Sequence, residues 1–71
     1  MQPNEAKQRV EELMGRLDAV RGEIAAAQRE VEKFSSQNLI VEAREAQADQ
    51  QRLEARKRQL ENELSRLKKY W

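Results

Sequence analysis

The stretch Ser35-Ser36-Gln37-Asn38-Leu39-Ile40-Val41-Glu42 divides this chain, because two regular hydrophobic repeats run into it out of phase. Before it, Val10, Leu13, Leu17, Val20, Ile24, Ala27, Val31 and Phe34 alternate gaps of three and four, the seam of a coiled-coil helix. After it, Ala43, Ala46, Leu53, Leu60, Leu64 and Leu67 follow the same alternation in another phase, with Gln50 and Lys57 occupying two seam positions. Continued unbroken past Phe34, the first repeat meets Asn38, Glu45, Arg52 and Gln59 where it requires apolar residues. The second stripe lies two positions away, roughly 200° around a helix turning about 100° per residue. A single helix would carry the stripes on opposite faces, whereas a reversal within residues 35–42 brings them together.

The expected fold is therefore all-α: an antiparallel two-helix coiled-coil hairpin in one domain, with a helix over 4–34, a turn at about 35–38 and a helix over 39–70. Asn4 is the expected N-cap, and Glu5 favours the dipole of the first turn. Ser35, Ser36 and Asn38 form helix poorly, because their side chains compete for backbone hydrogen bonds. No Gly or Pro enforces the break, so the turn is read from phase. The rival is one long helix whose halves bind different partners, with its ends roughly 100 Å apart.

Folding back at the turn pairs Phe34 with Ala43, Val31 with Ala46, Ala27 with Gln50, Ile24 with Leu53, Val20 with Lys57, Leu17 with Leu60, Leu13 with Leu64 and Val10 with Leu67. Ala6 then meets Trp71. On the flanks this register brings Arg16 near Glu63, Glu23 near Arg56 and Arg21 near Glu54.

Composition narrows the function classes. The 71 residues can build only a small core, so outside help with stability is expected. Cysteine and histidine are both absent, which removes disulfides, thiolate metal sites and the commonest general base. Charged residues make up 38% of the chain but nearly balance, 14 Lys and Arg against 13 Asp and Glu, which argues against a general polyanion binder. No apolar run approaches the roughly 20 residues of a membrane span, and no signal peptide is recognisable. A cytoplasmic location is expected.

The carboxylate clusters Glu11-Glu12, Glu30 with Glu32, and Glu61 with Glu63 lie off the seam, and two helices enclose no cleft that would raise a carboxyl pKa for acid and base chemistry. No enzyme activity, cofactor, metal or small-molecule substrate is expected. Two candidate partner surfaces remain. Gly15, Ala19, Gly22 and Ala26 recur at i, i+4, i+7 and i+11 on the outer face of the first helix, where glycine costs about 1 kcal/mol relative to alanine, a cost that close approach of another helix would explain. Leu39, Ile40 and Val41 are consecutive and cannot all face a two-helix seam. A third cluster, Arg52, Arg56, Lys57 and Arg58, is the densest basic patch and the candidate for nucleic-acid contact, although no aromatic residue interleaves it.

The run Gln59-Leu60-Glu61-Asn62-Glu63-Leu64, followed by Arg66-Leu67-Lys68-Lys69, resembles tropomyosin and myosin-rod coiled coil, which implies helix pairing and nothing about partners. The hairpin layout also resembles the N-terminal coiled coil of the Gre transcript-cleavage factors, whose activity depends on acidic residues at the tip. Here residues 35–41 contain no carboxylate and Glu42 is the first, so the residues that would carry that chemistry are missing.

The expected function is a protein interaction or assembly module that oligomerises, into a four-helix bundle, or docks on a partner helix. The alternative is a nucleic-acid- or polymerase-associated hairpin using the basic cluster.

Overall fold

The computed structural model describes residues 2–70, the side chain of Tyr70 excepted. Helix α1 runs Pro3–Ser36, helix α2 runs Ile40–Leu67, and a 3₁₀ turn over Lys68–Tyr70 follows α2. At 1.5 Å per residue a helix the length of α1 spans about 51 Å. The molecule measures 53 × 14 × 10 Å, so the two helices lie side by side. The chain is an all-α helical hairpin, and a continuous helix is ruled out.

The seam follows the two repeats. Val10, Leu13, Leu17 and Val20 of α1 pack with Leu60, Leu64 and Leu67 of α2 in one buried cluster, against which Ile24 and Leu53 are half-buried. Toward the tip the seam thins to Ala27 and Ala46, which are buried, and to Val31, Phe34, Ala43 and Gln50, which are half-buried. The deeply buried leucines and valines thus sit at the open end, and the buried residues nearer the turn are alanines. Lys57 is half-buried in the seam, and Gln50 donates its side-chain amide to Glu54 at 3.3 Å, a local partner one turn along the same helix.

Several boundaries and contacts differ from the sequence reading. Helix α1 begins at Pro3, with Gln2 as N-cap in extended conformation, and Asn4 does not cap it. Proline suits this first position, because the N–H it lacks would have no partner within the helix. Ser35 and Ser36 stay helical, so the connection is only Gln37, Asn38 and Leu39. Helix α2 starts at Ile40, and its last residues tighten to 3₁₀. Of the expected contact between Ala6 and Trp71, Ala6 is fully buried, while Trp71 lies outside the described residues.

The flank pairing also shifts. Glu63 accepts a hydrogen bond from Arg9 at 2.9 Å, while Arg16 donates to Glu12 of its own helix at 2.6 Å. Arg9 and Arg16 lie one heptad apart on one flank, and an antiparallel partner residue sits between two such positions. Glu12, between them, accepts from both arginines, at 2.6 Å from Arg16 and 3.2 Å from Arg9, and Arg9 also reaches across to Glu63. Among the described residues this is the one ion pair between the helices; Arg21 reaches Asp18 at 3.8 Å, and neither Arg21 with Glu54 nor Glu23 with Arg56 forms a bridge.

Candidate functional site

The tip is built by a helix ending that sequence phase alone did not specify. Asn38 has φ 59°, the left-handed region that costs most side chains steric strain but that asparagine tolerates. This turns the chain so that the Leu39 N–H reaches the Phe34 carbonyl at 2.9 Å and the Asn38 N–H reaches the Ser35 carbonyl at 3.1 Å. These are the two hydrogen bonds of a Schellman ending, with asparagine in the place glycine usually takes. Ser36 Oγ adds a bond to the Lys33 carbonyl at 2.8 Å. The carbonyls left free at the end of α1 are thereby partly satisfied, and the reversal is fixed in three residues.

That ending exposes the apolar triplet. Leu39 is 39% exposed, and Ile40 and Val41 are each 64% exposed. Ile40 borders a shallow groove with Val31, Ser35 and Ala43, whereas Val41 lies outside it. None of the three is buried at the tip. On the body of the hairpin, Met14 is 54% exposed and borders a second groove with Val10, Leu17 and Leu64.

The small-residue stripe stays open. Gly15, Ala19, Gly22 and Ala26 are all exposed, and a Cβ added at Gly15 or Gly22 would meet nothing within 4 Å. Nothing inside the hairpin requires glycine there. The stripe runs along α1 and the triplet begins α2, so the seven candidate residues make two separate surfaces.

The basic cluster is split by the same geometry. Arg52 and Arg56 border a groove on one flank together with Arg16 and Glu23. Lys57 and Arg58 border a depression on the other flank between Glu54 and Glu61. Carboxylates stand among the cations on both sides, and Arg52 lies 3.6 Å from Asp49. Among the described residues, Arg9 is the charge whose pKa is clearly shifted: hydrogen bonding to Glu63, then to Glu12, raises it above the ordinary arginine value.

No family model, curated protein or solved structure matches this chain. Among the described residues, no helix is long and apolar enough to cross a membrane, and no group of three or more acidic, Cys or His residues could hold a metal ion.

Proposed function

We propose that this chain is an assembly module: a helical hairpin that associates with itself through the sides of its helices and presents its tip to an apolar surface of another protein. The observation that carries this reading is the apolar surface left uncovered, with Ile40 and Val41 each 64% exposed and Met14 54% exposed, in a molecule that buries one stripe per helix. Small single-seam hairpins gain stability by packing against further helices, which supports the same reading.

Light scattering on the eluting chain, combined with circular dichroism, tests the proposal. A mass above the monomer is expected at concentrations where the hairpin is fully helical. A fully helical monomer that unfolds cooperatively over the same concentrations would overturn self-association.

A further inference from the structure

The flank that carries Arg9, Arg16, Glu23 and Glu30 on α1 has a charge order with twofold symmetry. Each residue is one heptad from the next, so all four project from the same side, with cations toward the open end and carboxylates toward the tip. An identical helix laid antiparallel on this side, about an axis crossing between Ala19 and Val20, sets Arg9 against Glu30 of the second copy and Arg16 against Glu23 of the second copy.

The position of the axis on α2 follows from the seam. Val20 shares a groove with Leu53 and Leu60, which bracket Lys57, so Val20 and Lys57 stand at one level. The axis therefore crosses α2 between Lys57 and Arg58. There it sets Arg52 against Glu63 of the second copy, Asp49 against Arg66 of the second copy, and Arg56 against the neutral Gln59 of the second copy. One operator thus gives opposite-charge pairs on both helices, each formed twice, and the one like-charge approach among these flank residues is Arg56 with its symmetry mate, about 4.5 Å apart along the helix. The groove bordered by Arg16, Ala19, Glu23, Arg52 and Arg56 lies over this axis. Ala19 is exposed there and would face Ala19 of the second copy, small enough for the two helices to approach closely.

We infer that a second copy of this chain docks on this flank, antiparallel, so that the tip of each hairpin lies toward the open end of the other. The inference rests on the assembly reading above and adds a face and symmetry to it; the flank used is the one opposite Met14, which this dimer leaves open. A parallel twofold dimer on the same flank is disfavoured, because its opposite-charge pairs, Arg16 with Glu63 and Glu23 with Arg56 of the second copy, are offset by Glu30 against Asp49 and Arg9 against Arg66 of the second copy. Exposed ion pairs contribute little each, so they set orientation, while the apolar floor of the groove contributes affinity. Arg9, already bonded to Glu63 and Glu12, and Glu63 both remain partly exposed, so each can share a further partner across the interface.

Charge exchange tests this directly. At low salt, Arg16→Glu and Glu23→Arg should each weaken dimerisation by about tenfold or more, and the double variant should restore it. Circular dichroism of each variant checks that the hairpin itself is intact. Because the chain has no cysteine, Ala19→Cys supplies an independent reading: mild oxidation should yield a covalent dimer, whereas Gln47→Cys on the other flank should not. A dimer indifferent to both charge reversals, or one that the Ala19→Cys variant fails to crosslink, overturns this face while leaving self-association standing. A wild-type chain that stays monomeric overturns both.

Discussion

Leu39 donates its backbone N–H to the carbonyl of Phe34, five residues earlier, and the 2.9 Å contact closes the hairpin. It forms because Asn38, between them, stands at φ 59°. Asn38→Gly should preserve or slightly raise the melting temperature. Asn38→Ala should cost about 1 kcal/mol, from the strain of a Cβ in the left-handed region. Thermal melts of the three chains at one concentration check the order, and an unchanged Ala variant would show that the turn does not depend on this conformation.

Leu13 is fully buried among the large side chains of the open end. Leu13→Ala should cost about 2–5 kcal/mol, enough to unfold much of so small a molecule. Val31→Ala, at a half-buried position near the tip, should cost much less. Equal losses in urea titration would contradict the gradient of packing along the seam.

Lys57 interrupts the apolar seam at a half-buried position. Lys57→Leu should stabilise the hairpin by about 1 kcal/mol through added apolar burial. If the lysine instead fixes register, the variant should melt higher but populate mixed assemblies, which light scattering would reveal.

At Gly15 and Gly22 an added methyl meets nothing within 4 Å. Gly15→Ala and Gly22→Ala should each raise stability by about 0.5–1 kcal/mol through helix propensity alone. If Gly15→Leu with Gly22→Leu leaves helicity intact and disrupts association, the stripe is a docking seam. Unchanged association would make these glycines surface filler.

The separation of Arg52 and Arg56 from Lys57 and Arg58 onto opposite flanks gives a prediction about nucleic acid. Binding to DNA or RNA should be weak at moderate salt, and replacing Arg52, Arg56 and Arg58 by alanine should change it little. Tight binding that steepens as salt falls, and that is lost in the triple variant, would favour the nucleic-acid alternative.

The reversal was legible because phase is a global property: the apolar residues of both repeats bear on it together, and a single polar seam residue such as Gln50 does not shift the result. The details of the turn were not, because they depend on one residue. Asn38 was recognisable as a turn former, but whether it would take the left-handed conformation depended on the Phe34 and Ser35 carbonyls being in place behind it. The partner of Glu63 was likewise hidden. Two arginines a heptad apart flank it, both bonded to Glu12, and which of them bridges the helices is fixed by side-chain geometry in space. The two exposed surfaces could be named from sequence, but their separation, and the opposite flanks of the basic residues, required the helices to be placed in space.

The deeply buried leucines and valines pack farthest from the turn, whereas toward it only Ala27 and Ala46 are buried and Val31 and Phe34 are half-exposed. The chain segment linking the two halves of the strong cluster is therefore long, and the weakly packed tip can open without dissolving that cluster. Amide exchange should be slowest around residues 10–20 and 60–67 and fastest between Ala27 and Ala46, a subglobal opening confined to the end that carries Ile40 and Val41. The apolar triplet then belongs to the part of the molecule that can reshape itself at least energetic cost, so a partner could remodel the tip while the far end stays closed.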